Sequence, residues 1–227
     1  ADVVVVGGGA TGAGVVRDAA MRGYRAVLVD RADLAQGTTG RYHGLLHSGG
    51  RYVVSDQHSA TECAEENAII TRIHTDAVEQ TGGLFVVTPE DSEEYSEGFM
   101  AGAAKAHMPA EEITIAQALS REPRLHKGTK RAFAVLDGTV DGWAMVWGAV
   151  ESAKEHGATV LTYHEVDKIH RVGDRGGHLP EGIVEGGGDH RRRVVRRAGG
   201  GGGDVVDIDG AGPGRVGVHQ TLPGGGG

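Results

Sequence analysis

The chain has 227 residues, a formal net charge of −8 and 40 glycines, with 39% hydrophobic, 24% charged and 4% aromatic residues. That length supports one packed domain or somewhat more, the acidic balance supplies no basic field for nucleic acid, and the glycines lack the Gly-X-Y period of collagen. The single cysteine, Cys63, excludes an internal disulfide framework and a cysteine-cluster metal site, and no apolar run approaches a membrane span.

Residues 2–6 are a short β-branched run ending at Gly7, the pattern of a strand buried on both faces of a parallel sheet. Residues 10–21 read as a helix closed by Gly23, and residues 26–30, AVLVD, as a second buried strand, which makes a βαβ unit. A long helix is expected over 55–78, with Ser59 and Glu62 as a capping box and with Cys63, Asn67, Ile70 and Ile73 near one face, Cys63 as a packing residue. Further along, strands are expected at 84–88, 131–135 and 158–162, and helices at 92–107, 115–121 and 141–156, with Gly157 as a left-handed cap. The alternation is that of an α/β fold with insertions. It divides into a Rossmann-like segment at 1–82, part of a substrate domain at 83–135 and a return to the first domain at 136–170.

Residues 171–227 differ in kind. They hold 20 of the 40 glycines, eight arginines and no lysine, with runs at 186–188, 199–203 and 191–193, and their apolar positions are too scattered for a core. A Gly-rich linker, an Arg/Gly-rich nucleic-acid segment and a shifted reading frame are the three readings. The last is favoured, because Gly, Arg, Val, Asp, Ala, Pro and His without Lys, Phe or Tyr is what GC-rich DNA encodes out of frame. The tail is accordingly expected to be disordered or frame-shifted.

Gly7, Gly9 and Gly12 form G-x-G-x-x-G between the first strand and the first helix. Gly7 suits the tight turn, Gly9 lets the backbone approach a pyrophosphate, Gly12 lets helix and strand pack closely, and the helix N-terminus attracts negative charge. Asp30 ends the second strand, where a carboxylate accepts from adenosine ribose hydroxyls and disfavours a 2′-phosphate; a solvated strand-end acid is the alternative. The fingerprint alone fits FAD or NAD. Residues 37–52, GTTGRYHGLLHSGGRY, decide for FAD: this long stretch is rich in small, hydroxyl and imidazole residues, Thr38 and Thr39 can donate to phosphate, and Arg51 offers a planar cation to an anionic substrate. No spacing of His, Asp and Glu suggests a metal.

The motifs VGGGATGAGVVRDAAMRG, GTTGRYHGLLHSGGRY, GGLFVVTPED and DGTVDGW followed by AKEHGATVLTYHEV run over about residues 2–166. Together they resemble the FAD-dependent glycerol-3-phosphate dehydrogenases, and within them the large catalytic subunit of the anaerobic enzyme. The match has departures: Val16 replaces a small Ala, and Gly142, Trp143 and Ala144 stand where Pro, Phe and Arg are usual. The resemblance implies a glutathione-reductase/D-amino-acid-oxidase-like flavoprotein fold, here truncated. It also implies oxidation of sn-glycerol 3-phosphate to dihydroxyacetone phosphate, and electrons passing through FAD to a quinone or membrane-anchoring subunits. The location implied is cytoplasmic, or peripheral at the inner face of the membrane. Residue by residue it assigns Gly7, Gly9, Ala10, Thr11, Gly12 and Asp30 to the ADP half of FAD. Thr38, Thr39, Gly40, His43, Gly44, Leu45, Leu46 and His47 fall along the pyrophosphate and flavin. His47 is the candidate base or a flavin contact, and Arg51 and Tyr52 match an Arg-Tyr pair beside the substrate. Another flavin-dependent amino-acid or hydroxy-acid oxidoreductase, and a non-catalytic nucleotide-binding fragment, are the alternatives. Later family segments, a third Rossmann strand with an Asn-Ala-Ala-Gly-like turn and a Gly-Gly-Lys motif, are not found in the chain, so its catalysis is expected to be incomplete.

The coding DNA tests the shifted frame. An alternative frame from about codon 171 is expected to continue an α/β enzyme, and the absence of any such continuation would refute it.

Overall fold

A computed structural model describes residues 1–91 and 93–172, and beyond them four short strands. In chain order the elements begin with β1 (Val3–Val6), α1 (Ala10–Met21), β2 (Ala26–Val29), a 3-10 turn (Thr38–Gly40), β3 (Leu45–Leu46), α2 (Gln57–Ile73) and β4 (Val78–Glu79). Next come β5 (Gly83–Val87), α3 (Glu93–Lys105), β6 (Ala110–Ile113), α4 (Ile115–Arg121), β7 (Arg131–Val135) and β8 (Gly138–Val140). The series ends with α5 (Gly142–Glu155), β9 (Thr159–Leu161), β10 (Glu165–Val172), β11 (Ile183–Val184), β12 (Val194–Val195), β13 (Val205–Gly210) and β14 (Arg215–Thr221).

Two compact units emerge, one of Ala1–Tyr42 with Gly142–Gly227 and one of His43–Asp141. The first contains the expected parallel βαβ. β1 pairs with β2 from Val3↔Ala26 to Val6↔Val29, β9 adds to β2 in parallel, and the sheet order is β11-β12-β1-β2-β9. β12 lies antiparallel on β1, and β10, β14 and β13 form a separate sheet. Valines alternate along β1: Val3 and Val5 join Val16 of α1, Leu28 and Val146 and Val150 of α5 in one cluster, while Val4 packs with Val29 on the opposite face. Burial on both faces explains the continuous apolar run. Arg25 ties the start of this sheet to Asp2: its backbone N–H, Nε and guanidinium all donate to the Asp2 carboxylate, which holds that group down at about 2.

The second unit is antiparallel, with sheets β3-β8-β4 and β5-β7-β6. Phe99 of α3 stacks on Phe133 of β7 with ring centroids 4.6 Å apart, and Val53, Val87 and Met108 complete that core.

Several expectations need correction. The two compact units part after residues 42 and 141, where the sequence pattern puts divisions after 82 and 135; β8 draws both β3 and β4 to itself and so keeps the segment before residue 82 in the second unit. Helix α2 is capped by Asp56, whose carboxylate accepts from Ser59 N–H at 3.1 Å and from Ser59 Oγ at 2.7 Å; Ser59 is therefore the donor inside the first turn, not the cap. The helix also ends at Ile73, short of 78, since Val78 and Glu79 are held in extended pairing. A capping box does occur at α4, between Thr114 and Gln117. Gly157 has the left-handed φ of +90° expected of it. Of the tail, the strands above are described; the expectation for the rest falls outside the described residues.

Two glycines of α1 should respond oppositely to Ala. At Gly12 a Cβ would overlap the Gly7 carbonyl oxygen, whereas at exposed Gly14 nothing lies within 4 Å. In urea unfolding, Gly12→Ala is expected to cost about 1–3 kcal/mol or more, and Gly14→Ala to gain up to about 1 kcal/mol. Because the Asp2 carboxyl titrates lower in the fold than in the unfolded chain, its contribution is complete above pH about 4 and lost as pH falls towards about 2. A side-chain carboxyl titration by NMR checks this.

Candidate functional site

In the first unit the glycine loop between β1 and α1 is clamped by the turn after β2. Gly8 N–H donates to Asp30 Oδ2 at 2.6 Å, and Gly8 C=O accepts from Ala35 N–H at 2.9 Å. Ala32 N–H donates to the other Asp30 oxygen at 2.8 Å. Asp30 is itself fixed by its backbone, donating to Leu161 C=O and accepting from His164 N–H. It is 7% exposed, so it is not the solvated acid of the alternative reading. Each carboxylate oxygen carries a further lone pair, so these bonds leave capacity for ribose hydroxyls.

Gly7 takes φ +111°, a conformation that side chains resist, and this turns the chain from β1 towards the helix. Gly9 is the N-cap of α1 and offers no side-chain oxygen; instead Thr39 Oγ1, from the 3-10 turn, accepts from Ala10 N–H at 3.0 Å. The Thr39 hydroxyl keeps its own proton for donation. A Cβ on Gly9 would meet only that hydroxyl, at 3.1 Å, so open backbone surrounds the positive end of the helix. These features fit the ADP half of a dinucleotide: small backbone, helix N-terminus, hydroxyl and buried acid stand together around the glycine loop. Gly142 also has a use here, since a Cβ on it would press within 2.8 Å of the Tyr42 ring and 3.1 Å of Thr39 C=O. The residue that departs from the family pattern thus admits Tyr42.

The second unit carries His43 to Tyr52. Leu45 and Leu46 form β3, paired with Thr139 and Gly138 of β8, and Gly44 adopts φ +75° to enter it. Leu45 N–H donates to His43 Nδ1 at 3.1 Å, so a neutral His43 ring carries its proton on Nε2. His43 and His47 meet edge to face with centroids 5.2 Å apart. His47 Nδ1 lies 3.0 Å from Asp137 Oδ2, and Asp137 Oδ1 accepts from Ser48 N–H at 2.7 Å and Ser48 Oγ at 2.6 Å. Buried Asn67 of α2 donates to Leu46 C=O at 3.3 Å and Leu136 C=O at 3.5 Å. Gly49, at φ +99°, and Gly50 then lead to exposed Arg51 and Tyr52; Tyr95 Oη donates to Gly50 C=O at 3.0 Å. Burial pushes the Tyr95 phenol up, opposed by the nearby Arg51 charge. Cys63 faces Gly49, and burial raises its thiol, as a packing residue requires.

The predicted residues thus form two groups, Gly7 to Gly12 with Asp30, Thr38, Thr39 and Gly40 in one unit and His43 to Tyr52 in the other. Within the first group Gly7, Gly9, Ala10, Gly12, Asp30 and Thr39 come together, while Thr11 and Thr38 are exposed beside them. Asp137, Asn67 and Ser48 were not foreseen. Asp137 sits in the DGTVDGW motif, but only the fold brings it to a histidine 90 residues away. Among the described residues no group of three or more His, Cys, Asp or Glu could hold a metal ion, and no helix is long and apolar enough to cross a membrane.

A family model described as FAD dependent oxidoreductase matches residues 2–221. The chain is 52% identical over 167 residues to the A1 subunit of the anaerobic glycerol-3-phosphate dehydrogenase of Haloferax volcanii, covering 74% of this chain and 28% of that protein. It is 48% identical over 172 residues to the A subunit of the same-named enzyme of Escherichia coli, covering 76% and 32%. It therefore spans 28–32% of the length of these two relatives. Among solved structures, L-proline dehydrogenase from P. horikoshii shares the fold with a TM-score of 0.62 at 24% identity, over 72% of this chain and 44% of that one. The match over nearly the whole sequence, on a parallel βαβ unit with a clamped glycine loop, means that the chain belongs to the FAD dependent oxidoreductase family.

Proposed function

We propose that this chain is the flavin-binding portion of a dehydrogenase that oxidises sn-glycerol 3-phosphate to dihydroxyacetone phosphate and passes the electrons to a quinone, at the inner face of the cell membrane. The observation that carries the reading is the 52% and 48% identity to the A-type subunits of anaerobic glycerol-3-phosphate dehydrogenase.

The residues have distinct duties. Gly9, Thr11 and Gly12 offer backbone N–H groups and the helix N-terminus to the pyrophosphate, while Gly7 and Ala10, whose own N–H groups are taken by Val29 C=O and Thr39 Oγ1, shape the turn that receives it, and Asp30 accepts from the adenosine ribose. Thr38 and Thr39 donate hydroxyl protons on the phosphate side, with Gly40 leaving room. Of the second unit's segment, His43, Gly44, Leu45 and Leu46 belong beside the flavin. His47 accepts the proton of the substrate's C2 hydroxyl, Arg51 pairs with its phosphate, and Tyr52 lies beside that anion. Bound FAD supplies the acceptor for the hydride that leaves C2. Alcohol oxidation is thereby balanced: one proton goes to the protein and one hydride to the cofactor.

The test is anaerobic bleaching of the flavin near ~450 nm in the FAD-loaded protein translated from the whole gene, with sn-glycerol 3-phosphate, glycine and L-proline as separate reductants. Glycerol 3-phosphate is expected to bleach it and the amino acids not. Arg51→Ala should raise the half-saturating concentration by about tenfold to a hundredfold, the loss of a charge-assisted contact. His47→Gln should slow bleaching at saturation by about 10²-fold or more. Bleaching by glycine or L-proline alone contradicts the reading.

A further inference from the structure

We propose that Asp137 is the positioning residue of His47: its carboxylate accepts from Nδ1–H, holds the neutral ring in the Nδ1–H tautomer and leaves the Nε2 lone pair as a proton acceptor. The use of that lone pair on an alcohol proton rests on the function proposed above; the tautomer rests on geometry alone.

Three contacts converge on this one carboxylate, from His47 Nδ1 at 3.0 Å and from Ser48 N and Oγ at 2.7 and 2.6 Å. An ionised carboxylate only accepts, so the imidazole nitrogen facing it must donate, and a neutral ring then has its basic nitrogen on the other side. The Asp137 side chain is 14% exposed, whereas that of His47 is 44% exposed, which puts the orienting acid inside and leaves the ring open to a ligand.

The surroundings fix both partners. Asn67, 8% exposed, donates to the carbonyls of Leu46 and Leu136, the residues immediately before His47 and Asp137. On the other side of Asp137, Gly138 pairs with Leu46 across the β3–β8 ladder. A Cβ on Gly83 would come within 2.9 Å of the Asp137 Cβ, so the absence of a side chain at 83 makes room for the acid. His43 carries the opposite arrangement: its Nδ1 accepts from Leu45 N–H. Two adjacent imidazoles of one loop are thus set in opposite tautomers, His43 with a donor at Nε2 and His47 with an acceptor there.

The experiment is a long-range ¹H–¹⁵N correlation spectrum of the 227-residue chain labelled with ¹⁵N-histidine, at mildly alkaline pH, with His47→Gln to assign the signal. The wild-type His47 is expected to give the Nδ1–H pattern, in contrast to the Nε2–H form that free histidine favours. Asp137→Asn, which can turn its amide N–H towards the ring, should convert the signal to the Nε2–H pattern, while Ser48→Ala should leave it as Nδ1–H. An Nε2–H pattern in the wild type overturns the proposal, as does an unchanged signal in a folded Asp137→Asn variant. Should that variant not fold, the wild-type and Ser48→Ala spectra decide. The spectrum needs no flavin and no substrate, so an Nδ1–H signal here, beside a whole-gene protein whose flavin glycerol 3-phosphate does not bleach, refutes the function and leaves the tautomer standing.

Discussion

Both backbone polar groups of Gly8 are taken by the turn that follows β2, the N–H by Asp30 and the carbonyl by the Ala35 N–H. The remaining features of the first unit follow from that clamp. A loop of consecutive glycines is costly to order, since glycine loses the most conformational freedom on folding. Pinned at its centre, the loop delivers Gly9 to the head of α1. It also lets Gly12 lie against the Gly7 carbonyl, a contact that a methyl group would abolish. Asp30 can serve as a clamp because its own backbone is hydrogen-bonded to Leu161 and His164 around β9. The third strand of the parallel sheet thereby supports the acid as well as extending the sheet.

The second unit uses another device to the same end. Its histidine segment has only two residues in a strand, and β3 alone could not define a side-chain position. Asn67 compensates by bonding to the residues before His47 and Asp137 at once, which couples the two loops through one buried amide. A buried amide of this kind is worth more in specifying one arrangement than in net stability, because its desolvation offsets much of the gain. The aromatic core of Phe99 and Phe133 supplies the stability that such polar contacts do not.

The parts legible in sequence were those whose signal is local. β1, α1 and β2 announce themselves through an unbroken valine run, a glycine fingerprint and a terminal acid, all within 30 residues. Helices α4 and α5 and strands β5, β7 and β9 carried ordinary periodicity and turn residues, and stand within a residue or two of expectation. β3, β4, β6 and β8 were invisible because each is two to four residues long and exists through pairing with a distant partner. The same holds for the unit boundaries, which depend on β8 collecting strands from both sides of α2. The start of α2 misled because Ser59 and Glu62 have capping-box spacing, while Asp56 reaches the orphan N–H first. For the site, the glycine fingerprint gave Asp30 as a candidate and the family resemblance gave His47; that Asp30 also clamps the loop, and that His47 is held by Asp137, depended on packing that no spacing encodes.

The central claim is that the clamped glycine loop makes a cofactor cradle already formed within this chain. The most direct measurement is the visible spectrum of the purified 227-residue protein after incubation with FAD and removal of free cofactor. Retained flavin absorbance near ~450 nm, in stoichiometric amount, is the predicted result. A folded protein that emerges colourless would contradict the claim.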